Sequence, residues 1–145
     1  MQNEHQRILV TDADRRRLAE LIRGLDTPNT PFRGQLDELA GELDRASIVP
    51  SENVPADVVT MNSSVLAREV AGGDTPGRTI PLTLVYRPRP PDLGRCVSVL
   101  SPLGIRLLGA REGAELDWPL PRGRARRLRI ERIVYQPESA GHREL

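Results

Sequence analysis

Carboxylate side chains are the residues of this chain best suited to chemistry, because paired acids can hold a divalent metal ion or transfer a proton. Asp37 and Glu38 are neighbours, whereas Asp26 lies alone in GLDTPNTPFRG, a connection between two segments of helical pattern. Acids near the start of a helix also interact favourably with its dipole. We therefore interpret Asp37 and Glu38 as helix-start residues and expect neither a metal site nor a cofactor.

Other catalytic patterns find little support in the sequence. The two histidines, His5 and His142, lie in opposite terminal segments and lack the spacing of metal ligands. None of the serines lies in a nucleophile-elbow pattern, and GGDTPG at 72–77 has neither the lysine nor the following helix of a phosphate loop. Cys96 lies in a predicted strand, where we expect a small buried hydrophobe. The sequence predicts a protein that is not an enzyme.

Charge and hydropathy limit the classes of partner that the chain is expected to bind. The run RGRARRLRIER, residues 122–132, holds six arginines and one glutamate. A solvated strand face accounts for this run, and the alternative is an electrostatic contact with an acidic partner or with nucleic acid. The net charge of +1 and the 3% aromatic content argue against a global field for nucleic acid and against base stacking. We expect no direct sequence-specific nucleic-acid binding.

No apolar run approaches the ~20 residues of a membrane span, so the expected location is cytoplasmic.

Two segments with helical periodicity fill the N-terminal part of the chain. In TDADRRRLAELIRGLD, residues 11–26, Thr11 and Asp14 have the spacing of a capping box. A second pattern covers residues 32–46. Each segment carries one apolar stripe: Leu18, Leu21, Ile22 and Leu25 in the first, and Leu36, Leu39, Ala40 and Leu43 in the second. The sequence predicts a short antiparallel helical hairpin, or coiled coil, over residues 1–46, with each helix about 20 Å long.

The pattern then changes to that of an α+β domain. SIVPSENVPA, residues 47–56, reads as a linker, and residues 57–145 as a mostly antiparallel sheet domain with one short helix. The apolar alternation slips between Ile130 and Ile133, which predicts a β-bulge, and we expect the tail from Pro137 to be loosely ordered. The predicted strands cover 57–61, 65–70, 80–86, 97–100 and 125–135, with turns or loops at 72–77, 87–94 and 119–123.

A strand–helix–strand unit stands out between residues 96 and 118, in CVSVLSPLGIRLLGAREGAELDW. The strand ends abruptly at Ser101 and Pro102, which are a preferred N-cap residue and a preferred first helical residue. The short helix should stop near Gly109, and the second strand should begin after Gly113.

This unit resembles the Ser-Pro segment in the C-terminal domain of the transcript cleavage factors GreA and GreB, and RIERIVYQP resembles the closing strand of that domain. The stretches LDRASIVPSENVPADVVTMNS, residues 43–63, and YQPESAG, residues 135–141, are closer still to the Rnk family, the regulators of nucleoside diphosphate kinase. The resemblance implies a short helical hairpin, a linker and an FKBP-like sheet domain.

The resemblance also implies a mechanism. Gre factors dock at the mouth of the RNA polymerase secondary channel and insert a long coiled coil whose acidic tip helps to hold a catalytic Mg²⁺. The connection here offers a single acid, Asp26, and the predicted hairpin is short. We therefore expect a non-catalytic regulator that binds RNA polymerase near the secondary channel, competes with Gre factors and does not stimulate RNA cleavage. The family name implies a genetic link to nucleoside diphosphate kinase.

The docking residues follow from the same resemblance. The Ser-Pro motif transfers to Ser101 and Pro102, with Leu100 just before it. Leu103 and Arg106 are added because they are adjacent on the short helix. The alternative is that Ser101 and Pro102 serve only to start that helix.

The sequence leaves three other functions open. The chain could bind a different protein through the same surface. It could be a residual transcript cleavage factor if Asp26 and Asp37 met around a metal at the hairpin tip. An FKBP-like fold also suggests a prolyl isomerase, but the whole chain has only four aromatic residues with which to line such a pocket. The oligomeric state stays open between a monomer and a weak dimer formed through the hairpin.

Overall fold

The computed structural model describes four stretches of the chain: residues 8–70, 77–87, 96–119 and 125–142. The predicted turns and loop at 72–77, 87–94 and 119–123 lie almost entirely outside the described residues, and His5 lies outside them too.

Two helices form in the N-terminal part, as predicted. Helix α1 spans Asp12–Leu25 and helix α2 spans Arg33–Arg45. The Thr11 hydroxyl caps α1 by accepting a hydrogen bond of 3.0 Å from the Asp14 backbone N–H. Only this half of the predicted capping box is present, because the Asp14 carboxylate accepts its hydrogen bonds from other parts of the chain.

Short strands flank the two helices. Strand β1, Leu9–Thr11, runs directly into α1, and strand β2, Ser47–Val49, follows α2. The two strands pair in parallel over their whole length. The stretch 47–56, which its prolines suggested to be a linker, therefore begins as a paired strand and continues with a 3₁₀ turn at Ser51–Asn53.

The remaining strands form one five-stranded sheet in the order β5-β4-β3-β7-β6. Pairing is antiparallel except between β4 and β5. Helix α3, Pro102–Leu107, connects β5 to β6, and helix α4, Pro137–Ala140, follows β7. The fold is thus a mixed helix-and-strand fold, whose strands are β3 Ser64–Glu69, β4 Thr79–Val85, β5 Cys96–Ser98, β6 Glu115–Pro119 and β7 Ala125–Tyr135.

The predicted strand at 57–61 is wrong. This segment forms no ladder: Val58 makes an isolated bridge to Arg111. Val59 bonds to the loop after α3, donating to the Ala110 carbonyl and accepting from the Gly109 N–H at 2.8 and 2.9 Å. Both valines are completely buried. Adjacent residues of this segment are thus buried together, and their backbone partner is a loop and not a strand.

The predicted bulge in β7 is confirmed. Leu66 pairs with Arg132 while the next residue, Ala67, pairs with Ile130, so Glu131 is the extra residue. A second register shift near the end of the strand leaves Val134 unpaired and 58% exposed.

The expectation of a loosely ordered tail is wrong as far as residue 142. Residues 137–140 form α4, and Gln136 before it is buried. The Gln136 side-chain amide donates to the carbonyls of Pro55 and Val58, each at 2.8 Å. A single amide thus ties the tail to the segment that precedes β3.

One hydrophobic core joins the helices to the sheet. Leu18 of α1 and Leu39 of α2 are completely buried in the same cluster as Met61, Leu84 and Leu107. Burying a side chain of this size contributes about 1.5–3 kcal/mol. The two helices are therefore packed on the sheet domain in this structure.

Candidate partner-binding site

The Ser-Pro motif is built by local hydrogen bonds. The Ser101 hydroxyl donates to the Ser98 carbonyl at 2.7 Å and accepts from the Gly104 N–H at 3.0 Å. Pro102 occupies the start of α3, where its missing N–H is not needed. A Cβ on Gly104 would lie 1.9 Å from the Ser98 carbonyl oxygen, so only glycine fits there. The predicted N-cap is confirmed, and both hydrogen-bonding functions of the Ser101 hydroxyl are used within the chain.

The structure divides the five predicted docking residues into two groups. Leu100 and Leu103 are 9% and 5% exposed and belong to the hydrophobic core. They hold α3 against the core and do not offer a contact surface. Pro102 and Arg106 are exposed, and Ser101 is half-buried. The Arg106 guanidinium donates to the Pro102 carbonyl at 2.9 Å, which holds the two exposed residues together.

Asp26 lies at the C-cap of α1, in the connection between the two helices. Its carboxylate forms an ion pair with the Arg33 guanidinium at 2.5 Å, and the same guanidinium lies 3.6 Å from the Asp37 carboxylate. The hydrogen bond to Asp26 is the main cause that raises the pKa of Arg33. The two acids share one cation, the Arg33 side chain, whereas the alternative of a residual cleavage factor requires a metal ion between them.

No group of three or more histidine, cysteine or acidic side chains capable of holding a metal ion occurs among the residues that the structure describes. The connection between the helices also carries Phe32, whose side chain is 36% exposed. The connection therefore carries an exposed aromatic residue as well as Asp26, which belongs to the ion triad of Asp26, Arg33 and Asp37.

Asp14 is the polar residue whose role sequence reasoning missed. Its side chain is almost fully buried and accepts from the Met61 N–H at 3.0 Å and from the Tyr86 hydroxyl at 3.4 Å. Burial raises the pKa of Asp14 to about 6, against the lowering effect of the Met61 N–H. The one available signal, its spacing from Thr11, pointed to a helix cap and did not reveal these distant partners.

A second set of hydrogen bonds continues from Met61. The Thr60 hydroxyl donates to the Glu138 carboxylate at 2.7 Å and lies 2.9 Å from the Ser63 hydroxyl. The Ser63 hydroxyl also accepts from the Thr60 N–H at 2.9 Å. These contacts join VVTMNS to YQPESAG, two segments that carried the family resemblance, next to the first turn of α1.

The arginine-rich strand β7 is paired within the sheet. Arg129 forms an ion pair with Glu115 at 2.8 Å, and Arg127 lies 3.5 Å from Asp117 and 3.6 Å from Glu115. The hydrogen bond from Arg129 is the main cause that lowers the pKa of Glu115. This arrangement fits a solvated strand face with its own counter-charges.

Over the described ranges, no helix combines the length and the apolar character needed to cross a membrane.

Comparison with known proteins gives one consistent answer. The family model for the C-terminal domain of transcription elongation factors GreA and GreB matches residues 54–135, and the model for the Rnk N-terminus matches residues 6–49. The chain is 39% identical over 134 residues to the "Regulator of nucleoside diphosphate kinase" of Escherichia coli K12, covering 92% of this chain and 93% of the relative. The Shigella flexneri protein of the same name matches with the same values.

A solved structure gives the same match in three dimensions. It is a prokaryotic transcription elongation factor GreA/GreB from Nitrosomonas europaea, which superposes with a TM-score of 0.73 at 36% identity. The match covers 89% of this chain and 100% of that chain.

Proposed function

Because the chain belongs to the Rnk family, which joins an Rnk N-terminus to a GreA/GreB-type C-terminal domain, we propose that it is a non-catalytic regulator of transcription. It binds RNA polymerase near the secondary channel, competes there with Gre factors and does not stimulate RNA cleavage. The helices form a short hairpin on an FKBP-like domain, and the protein acts in the cytoplasm. Its effect on nucleoside diphosphate kinase is indirect, through transcription.

The ion triad is the observation that carries the non-catalytic part of this proposal. Two-metal chemistry needs carboxylates that are free to coordinate the ion and stabilise charge on the attacking and leaving oxygens. Here the Asp26 and Asp37 carboxylates face the Arg33 guanidinium, which supplies a positive charge between them. A metal ion would have to displace that side chain before it could bind both acids.

The length of the helices supports the same proposal. Helices of 14 and 13 residues reach about 20 Å, which is short for a probe that must enter a deep channel. A protein that docks with its sheet domain but does not extend to the catalytic centre still blocks the entry of a longer competitor.

The exposed side of α3 is the surface that we propose for docking. Pro102 and Arg106 are held together by their hydrogen bond, and Ser101 fixes the start of the helix. The buried Leu103 and Leu107 anchor the helix to the core beneath them. A rigid turn of this kind loses little conformational freedom when a partner binds.

Binding to core RNA polymerase tests the proposal directly. The protein, labelled at its N-terminus, is titrated with polymerase by fluorescence anisotropy, and unlabelled GreB is then added as a competitor. We expect saturable binding that GreB displaces, together with no increase in transcript cleavage in a stalled-complex assay. Absence of saturable binding, or stimulated cleavage, would contradict the proposal.

A pair of arginine variants assigns the surface. Arg106→Ala removes the exposed charge from α3, whereas Arg132→Ala removes an exposed charge from β7. We expect Arg106→Ala to weaken polymerase binding and Arg132→Ala to leave it close to that of the parent. Equal effects of the two substitutions would place docking on another surface.

A further inference from the structure

The Asp14 carboxylate bridges parts of the chain that are far apart in sequence. Asp14 lies in the first turn of α1, and its two acceptor contacts reach Met61, 47 positions away, and Tyr86, 72 positions away. Met61 precedes β3, and Tyr86 directly follows β4. The side chain therefore connects the helical segment to two different parts of the sheet domain.

The two contacts restrict the orientation of α1 because they use different oxygens of the carboxylate. Oδ2 accepts from the Met61 N–H and Oδ1 accepts from the Tyr86 hydroxyl. Leu18, one turn further along α1, is completely buried in the core. Apolar packing at Leu18 is non-directional, whereas hydrogen bonds weaken steeply when their angles change. Two bonds from one carboxylate thus restrict the rotation of α1 on the sheet in a way that packing does not.

We infer that Asp14 is a positioning residue whose carboxylate sets the angle at which α1 and α2 stand on the sheet domain. Next to this contact, the Thr60 hydroxyl bonds to the Glu138 carboxylate, which fixes the segment that carries Met61 against α4. The consequence for polymerase binding rests on the proposed function, because a docked protein must hold its helices toward the channel. The geometry itself does not depend on that function.

The groups around Asp14 affect the pKa of its carboxyl and keep the Tyr86 hydroxyl protonated. Burial is the main cause that raises the pKa of Asp14. Glu138 of α4 raises it further and Arg17 of α1 lowers it, while the Tyr86 hydroxyl donates to Oδ1. Burial, followed by the charge of Asp14, raises the pKa of Tyr86, so this hydroxyl keeps its proton and stays a donor. Asparagine can replace the acid, because its carbonyl accepts from Met61 and its amide can donate to the Tyr86 oxygen.

Distance measurements between two spin labels test this inference on the full chain. The labels are placed at Asn29→Cys, in the connection between the helices, and at Thr79→Cys, at the start of β4, in a Cys96→Ser background; Asn29 and Thr79 are exposed. We expect a single narrow distance distribution in the parent, a broader or shifted one in Asp14→Ala, and a narrow one again in Asp14→Asn. Asp12→Ala is the matched control, since Asp12 is an exposed acid in the same turn.

The results that support the inference differ from those that would overturn it. If Asp14→Ala does not fold, Tyr86→Phe removes one of the two contacts and should also broaden the distribution. A distribution with the same mean and width as the parent's in the folded Asp14→Ala protein, or in Tyr86→Phe when the alanine variant is unfolded, would overturn the inference. Equal broadening by Asp12→Ala, or failure of Asp14→Asn to restore the narrow distribution, would also overturn it. Polymerase binding measured on the same samples tests the proposed function separately, because the distances need no polymerase.

Discussion

The Thr60 hydroxyl donates a hydrogen bond of 2.7 Å to the Glu138 carboxylate, although 78 positions separate the two residues in sequence. Thr60 is buried and also bonds to Ser63. This contact joins α4 to the segment that precedes β3, so the motif YQPESAG is part of the folded domain.

Thr60→Val should destabilise the protein by about 1–3 kcal/mol, because it leaves the Glu138 and Ser63 partners without a buried hydroxyl while keeping the side-chain shape. Urea unfolding followed by circular dichroism measures the change. Thr79→Val is the matched control, because Thr79 is exposed, and such surface changes usually stay within about 0.5 kcal/mol. Equal stabilities of the two variants would show that the hydroxyl of Thr60 contributes nothing.

Asp14→Asn should change how stability depends on pH. The folded pKa of Asp14 is raised from 3.8 to about 6, so the native state binds this proton more tightly than the unfolded chain. The contribution is fully present below about pH 4 and is lost as the pH rises through about 6. A shift of this size corresponds to roughly 3 kcal/mol as an order of magnitude.

The asparagine variant has no proton to lose at this position. Its free energy of unfolding should therefore rise relative to that of the parent between about pH 4 and about pH 7. Urea titrations of both proteins across this range, analysed as the difference between them, remove the contribution of the other carboxylates. A difference that does not vary with pH would contradict the raised pKa.

Arg33→Gln should expose the acids at the connection between the helices to metal ions. The substitution removes the guanidinium that faces both Asp26 and Asp37. We expect tighter Mn²⁺ binding than in the parent, measured by the loss of the free Mn²⁺ signal in electron paramagnetic resonance. Arg45→Gln is the control, because Arg45 pairs with Glu42 alone among the ion pairs described. Equal Mn²⁺ binding by the parent and the Arg33 variant would show that the guanidinium does not compete with metal.

Gly104→Ala should be strongly destabilising, because its Cβ would meet the Ser98 backbone at 1.9 Å and α3 would have to move. We expect a loss of several kcal/mol, in the range of severe core substitutions. Gly24→Ala in α1 is the matched control, since its Cβ meets nothing within 4 Å. Alanine in a helix is better than glycine by about 0.5–1 kcal/mol. Thermal unfolding of both variants should therefore give midpoints that move in opposite directions.

The sequence predicted best the features whose cause is local. The Ser101 cap needs only Ser98 and Gly104, and the bulge at Glu131 is visible as a slip in apolar alternation. Family resemblance supplied the order of the parts. The strand expected at 57–61 was wrong, because Val58 and Val59 are buried against the loop after α3 and belong to no ladder.

The features that were missed depend on partners far away in the chain. β2 is a strand because β1 lies beside it, and α4 is ordered because Gln136 reaches Pro55 and Val58. Asp14 occupies the position of a capping-box residue, and nothing in its neighbourhood indicates Met61 or Tyr86. The burial of Leu100 and Leu103 likewise follows from how α3 packs and not from the motif that they flank.

The parallel pairing of β1 with β2 closes the helical segment at its base. The chain enters α1 and leaves α2 through adjacent strands, so both junctions lie at the end of the helices away from their connection. The paired strands thus anchor both helices at one end, while the connection between α1 and α2 lies at the other. On the proposed function, the number of helical turns beyond this base sets how far the helices reach into the channel.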